Sequence, residues 1–180
     1  GFENINQQIA QRVGLLLASG EVVEGVGESV VDSSEIINTL RDGGIASLGY
    51  ASAEAAEEAA DNVNTITSLT RKSLLTGMSL PNAVDAEAAL LVIAGQPDRI
   101  SRKGVERARK WVEEETGSLQ VRGGDFPLDS DRLGALVLLG GVERSQRVEE
   151  FMDRAREANE EVEERDPTEE FENDDLDDLF

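Results

Sequence analysis

No apolar run in this chain approaches the roughly 20 residues that a membrane-spanning helix needs. The longest, Ala88–Ala94 and Ala135–Leu139, are strand-sized, and they alternate with segments of helical spacing. A chain patterned this way builds its core by laying helices against a sheet. Phe2, Ile5, Asn6, Ile9, Val13, Leu16 and Leu17 recur three and four apart, predicting a helix of about five turns stopped by Ser19-Gly20. An acidic connector, Glu21–Ser29, carries Gly25 and Gly27. A short helix follows Ser29–Ser34, with Ile36, Ile37 and Leu40 as its expected buried side and Gly43-Gly44 as its end. Ile45–Ala51 reads as a buried strand.

Ala53–Leu75 is Ala-rich and reads as one helix, with Ala56, Ala60, Val63, Ile66 and Leu69 facing inward until Gly77 and Pro81 break it. Ser101 caps an amphipathic helix through Glu115, with Val105, Ala108, Trp111 and Val112 inward and Gly117 as its stop. Ser118–Arg122 and Arg132–Leu139 read as strands joined by a turn-rich loop holding Asp125, Pro127 and Asp129, close enough to form a hairpin. A last helix spans about Ser145–Asn159, and the residues after it lack the apolar content to pack. The expected class is α/β (α+β): a mixed four-stranded sheet flanked by helices, one domain with a tail.

Composition removes several chemistries. The chain has no Cys and no His, which excludes disulfides, thiolate chemistry, a His-based zinc site and a Ser-His-Asp triad. No metal ligands are assigned. The lack of Cys, with no signal peptide at the start, makes a cytoplasmic location the expectation. A net charge of -21 argues against nucleic acid as a partner. Residues 157–180 hold 13 acids against one Arg, a net of -12 that leaves -9 for the body. Cations number 14 Arg against three Lys. Such an acidic, Lys-poor surface suits a salt-loaded cytoplasm, where self-repulsion is screened. A folded body that melts at one temperature in dilute buffer and in molar potassium chloride would contradict that halophilic reading.

Asp32 and Glu35 stand at the start of the second helix, after the acidic glycine-bearing loop. Spacing alone favours an N-cap at Asp32, with Glu35 at the third helical position complementing the exposed amides. The other reading has both carboxylates facing outward to activate water on something docked there. Neither G-x-x-x-x-G-K-[ST] nor G-x-G-x-x-G occurs, and Glu24 and Glu28 flank Gly25-Val-Gly27 with charge that repels phosphate. Gly43-Gly44, Gly123-Gly124 and Gly140-Gly141 sit at expected element ends. Phe2 and Asn6, one turn apart, suit either ordinary packing and helix surface or a purine stacked on the ring and read by the amide. Trp111 reads as core. The set Arg99, Arg102, Lys103, Arg107, Arg109 and Lys110 reads as pairing with Glu106, Glu113 and Glu114 rather than as a docking patch. The tail reads as solvated.

Three blocks give these segments a common context: Ile100-Ser-Arg-Lys-Gly-Val-Glu-Arg-Ala-Arg-Lys-Trp-Val-Glu-Glu-Glu-Thr-Gly117, Gln120-Val-Arg-Gly-Gly-Asp-Phe-Pro127 and Gly43-Gly-Ile-Ala-Ser-Leu-Gly-Tyr50. With the tail ending Asp-Asp-Leu-Asp-Asp-Leu-Phe180, they resemble the tubulin/FtsZ superfamily, most closely the archaeal tubulin-like CetZ proteins. The resemblance runs from Phe2 to about Ala158. It implies the C-terminal half of a GTPase, with residues 1–20 as the central inter-domain helix, 21–157 as the C-terminal domain with its synergy loop, and 158–180 as a disordered acidic tail. Phe2 falls where an aromatic ring of the family stacks on guanine, and Asn6 where an Asn reads the base edge. Asp32 and Glu35 fall where one subunit's acids reach the nucleotide of the next and orient water against its terminal phosphate. The family pattern is Asn-x-Asp-x-x-(Asp/Glu). Here Val30 replaces the Asn, which removes a polar side chain from that position.

The resemblance also implies GTP, with Mg2+ or another cation, held by an N-terminal domain that carries the glycine-rich phosphate loop. Its implied partners are further copies in a head-to-tail filament, and the acidic tail offers a site for recruiting other proteins. Cell-shape control is the implied role. The alternatives are an FtsZ-type division protein, a stand-alone protein-interaction module of the same fold without GTPase activity, and a plain acidic halophilic domain.

Overall fold

The eight residues of β2, Ala88–Gly95, are all buried. A strand covered on both faces and paired on both edges fixes the centre of the sheet. In the computed structural model, which describes residues 1–21, 31–41, 43–80, 85–142 and 146–164, the sheet order is β1-β4-β2-β3. β1 is Ile45–Glu54, β3 is Gln120–Pro127 and β4 is Arg132–Val142. β2 runs parallel to β3 and antiparallel to β4, and β4 is antiparallel to β1, so the sheet is mixed as expected.

The expected hairpin does not form. β2 lies between β3 and β4, so the two strands closest in sequence are not neighbours. The reason is that β3 continues to Pro127, using Asp125 and Pro127 to pair with β2 rather than to turn back.

Helices cover both faces. α3 (Val63–Leu75) and α4 (Arg102–Thr116) pack on Ala89, Leu91, Ile93, Leu133, Ala135, Val137 and Leu139. α1 (Phe2–Gly20) and α2 (Ser33–Leu40) cover Leu90, Val92, Ala94, Leu136 and Leu138, joined by Val31 and Phe126. The period-2 alternation of strand side chains sorts these two sets. Ser101 caps α4, accepting from the Gly104 N–H at 3.4 Å, and Gly117 ends it at φ 64°. Trp111 is partly buried, with Arg71 over its ring at 5.2 Å.

The single helix expected over Ala53–Leu75 is three pieces. β1 extends to Glu54, a 3₁₀ turn covers Ala59–Asn62, and only then does α3 begin. Fully buried Asn62 explains the interruption. Its amide accepts from the Ala56 N–H at 2.8 Å and donates to the carbonyls of Ala56 at 2.9 Å and Arg99 at 3.0 Å. Side-chain bonds of this kind compete with the helical ladder and outweigh alanine propensity. Ala56 and Ala60 are accordingly exposed, whereas Ile66 and Leu69 are buried as expected.

On α4, Lys110–Glu114 at 4.0 Å is the ion pair formed among the described residues, so the broader pairing expected of that helix is not met. α5, Gln146–Glu164, belongs to a second unit of the chain, Arg144–Phe180, and runs past the expected end at Asn159. The connector from Val22 on, Val30, Pro81 and the tail from 165 lie outside the described residues. No described helix is long and apolar enough to cross a membrane.

Candidate functional site

The start of α2 is pinned from three directions. Val31, 1% exposed, buries its side chain under α1 and donates its N–H to the Asp125 carbonyl of edge strand β3 at 3.3 Å. Ile36 packs into the same apolar cluster as Leu15, Leu16 and Ala18 of α1. Gly20 lets the end of α1 come in close, because a β-carbon there would sit 3.0 Å from Ile36 Cδ1. At the other end Thr39 is buried, its hydroxyl donating to the Glu35 carbonyl at 2.8 Å. The Thr39 carbonyl rests on Gly140 of β4, where a β-carbon would overlap it. Ile37, at 57% exposed, and Leu40 face outward, contrary to their expected burial. Val31 and Thr39 take the inner positions instead.

Asp32 is an N-cap. Its backbone is extended (φ -122°, ψ 172°), and Oδ1 accepts from the Glu35 N–H at 3.1 Å and from the Ser34 hydroxyl. The Ser34 bond, then the Glu35 bond, holds its carboxyl below the usual range although it is exposed. Glu35 is shifted the other way. Burial, followed by the negative charge of Asp32, pushes its carboxyl up, while a backbone bond with Asp32 and the Arg122 guanidinium partly oppose that. The pair therefore joins a carboxylate that stays ionised to one closer to exchanging its proton, the division of labour that acid–base chemistry uses.

Burial of Glu35 also ties stability to pH. The folded state holds that proton more tightly than the unfolded state, so stability falls as pH rises through the folded value. Glu35→Gln should therefore melt at a higher temperature than wild type near neutrality, with the gap closing below about pH 4, where the carboxyl is protonated in both states. Thermal unfolding across pH checks this, and a gap that persists in acid would contradict it.

Phe2 and Asn6 lie at the opposite end of α1. Phe2 is 86% exposed, so its ring is not core here, and Asn6 is exposed one turn later. Ile5, Ile9, Val13 and Leu17 continue an exposed apolar stripe along the helix. α1 rises about 1.5 Å per residue, so roughly 21–27 Å of helix separates Asn6 and Phe2 from Gly20, beside which the acids sit. The structure thus gathers Asp32 and Glu35 at one place and leaves Phe2 and Asn6 at another. A cleft of about 390 Å³ between α1 and the sheet, lined by Gly14, Leu15, Tyr50 and Phe126 among others, includes none of the four.

The sequence reading missed Arg122, which acts on Glu35 by charge, and the Asp125 carbonyl, which anchors Val31. Extending β3 as far as Pro127 would have placed both beside α2. The Asp125 carboxyl points the other way. It shares a polar slot of about 180 Å³ with Arg102, Glu106 and Arg109 of α4, and burial raises it against the pull of Arg102.

Among known families, the tubulin-like CetZ C-terminal domain matches residues 1–157. The chain belongs to the CetZ family. Across its whole length it is 68% identical to CetZ2 of Haloferax volcanii, of which it covers 51%. The solved CetZ2 from that organism, a GTPγS-bound protofilament, superposes with a TM-score of 0.80 at 67% identity, covering 90% of this chain and 46% of that one. The GDP-bound monomer of Haloferax volcanii CetZ1 gives 0.75 at 45% identity, covering 88% and 45%. An FtsZ dimer from M. jannaschii, at 14% identity and a TM-score of 0.53 over 79% of this chain and 38% of that one, shows the shared fold. The CetZ sheet and helices thus match the C-terminal domain of the tubulin/FtsZ fold, and the chain spans about half the length of the curated CetZ relatives it matches.

Proposed function

We propose that this chain is the assembly and activation half of a filament-forming GTPase, and that its acids serve a nucleotide held by the next subunit. The carrying observation is the separation along α1. Phe2 and Asn6 stand free to stack on a base and read its edge, yet Asp32 and Glu35 lie roughly 21 Å or more of helix away. One bound nucleotide does not reach from one pair to the other, whereas a neighbour's terminal phosphate docked at the start of α2 would meet both acids. The GTPγS-bound protofilament of CetZ2 and the GDP-bound monomer of CetZ1 support this choice of nucleotide and of assembly.

On this reading α1 is the central helix. Its exposed stripe of Ile5, Ile9, Val13 and Leu17 packs on a nucleotide-binding domain, for which the unmatched half of the CetZ2 relative's length leaves room. GTP supplies the phosphoanhydride bond that is hydrolysed, and the cation and phosphate loop belong to that other domain. Within this chain, Glu35 positions water and accepts its proton, and Asp32 stays ionised and fixes the helix start. Head-to-tail contact between unlike surfaces generates an open filament. The acidic charge of residues 165–180 offers partners a recruiting segment, and the setting is cytoplasmic.

The chain by itself should neither hydrolyse GTP nor hold it tightly, and turnover by the purified 180 residues would refute the half-enzyme reading. Cell-shape control follows from the CetZ-type blocks. Cells carrying Glu35→Ala should change outline while dividing normally, and a division block would favour the FtsZ-type role instead.

A further inference from the structure

Two carboxylates that approach a nucleotide's terminal phosphate bring negative charge to negative charge, so an offsetting cation belongs in the site. The fold places one there. α2 lies across the sheet with Val31 tied to Asp125 and the Thr39 carbonyl against Gly140. Gly140 pairs with Ala88, and Ala88 with Gln120. The helix therefore runs opposite to β3, from the level of Asp125 down to the level of Gln120. Glu35, midway along it, comes level with Arg122.

The strand pleat settles which face Arg122 uses. Phe126 packs in the cluster under α1 and α2, and Val121 packs against the α3 and α4 side. Alternation puts Arg122 and Gly124 with Phe126, on the side of α2. Both Arg122 and Glu35 are half-buried, where a charge pair is screened less than on an open surface. Among the described residues, Asp32 and Arg122 are the charges that act on Glu35, and the other elements packed on α2 meet it with apolar side chains and glycine. α1 offers Leu15, Leu16 and Ala18, β2 offers Leu90 and Val92, and β4 offers Leu136, Leu138 and Gly140. Asp32, on the helix's own start, is the opposing charge.

We propose that Arg122 is a positioning residue, the counter-charge that sets Glu35 for work on the neighbouring subunit's nucleotide. The proposal rests on Glu35 serving GTP turnover. Arg122 acts through Glu35. It offsets, by charge, the combined pressure of burial and Asp32 toward protonation. Without it, Glu35 keeps its proton to a higher pH.

The test measures GTP turnover by the intact protein from about pH 8 to about pH 5.5, for wild type, Arg122→Lys, and the neutral variants Arg122→Gln and Arg122→Met. The ratio of wild-type to neutral-variant turnover should grow about threefold or more as pH falls, in kcat rather than KM, with Arg122→Lys restoring the wild-type profile. A loss equal at every pH, or a Lys variant as impaired as the neutral ones, would overturn the proposal, because a packing role alone behaves that way. Carboxyl NMR of the 180-residue chain reads the pair without activity. The Glu35 titration should move to higher pH in Arg122→Gln, and an unmoved titration would overturn the proposal. Loss of turnover in Glu35→Gln with a flat Arg122→Gln profile sinks this assignment alone, whereas wild-type turnover in Glu35→Gln sinks the catalytic reading as well.

Discussion

Glu35→Ala in the intact protein should slow GTP turnover by about a hundredfold while filaments still assemble and outlast those of wild type. Assembly depends on the docked surfaces and on bound nucleotide, and this substitution leaves both in place. The cap also survives, because the backbone N–H of residue 35, not its side chain, donates to Asp32. Asp32→Ala is a less selective probe. It removes the acceptor of both the Glu35 N–H and the Ser34 hydroxyl and should cost about 1 kcal/mol of helix stability alongside any chemical effect. GTP turnover and filament lifetime measured on one Glu35→Ala preparation separate the roles. Unchanged turnover removes the catalytic assignment.

Gly140→Ala should be nearly as damaging although residue 140 touches no nucleotide. A β-carbon there overlaps the Thr39 carbonyl, which belongs to backbone and cannot swing aside. Either β4 gives way in the middle of the sheet or α2 lifts off it. Overpacking of this kind costs roughly 1–3 kcal/mol. A lift of α2 also carries Glu35 with it, and displacement of a catalytic group by about 1 Å can cost on the order of a hundredfold in rate. Denaturant unfolding and turnover should therefore fall together in Gly140→Ala. A variant of wild-type stability with full turnover would show that α2 is not held by that contact.

The sheet class, β2, the cap at Asp32 and the start and end of α4 were legible in the sequence, because each has a local cause: an apolar run, a capping side chain, a terminal glycine. The misread segments obey distant partners. Ala-rich residues 55–62 look helical until Asn62 is seen bonding to Ala56 and Arg99. Asp125 and Pro127 look like turn residues until β2 is placed beside them. Asp32 and Glu35 could be located as a pair, and the resemblance to tubulin-like proteins gave them a purpose. Their opposite shifts were not legible, since one comes from Ser34 folding back and the other from burial in the folded structure. Arg122 was hidden for the same reason. Its relevance exists only once β3 is registered against α2.

Mixing two disabled intact proteins probes the trans arrangement directly. One carries Glu35→Ala and keeps its base-binding end, and the other carries Phe2→Ala with Asn6→Ala and keeps its acids. Each alone should turn over GTP slowly. In mixed filaments the second protein presents Glu35 to nucleotide held by the first, so turnover should rise well above the sum of the two separate rates. A mixture that only equals that sum, although the two proteins co-assemble, would contradict catalysis across the subunit boundary.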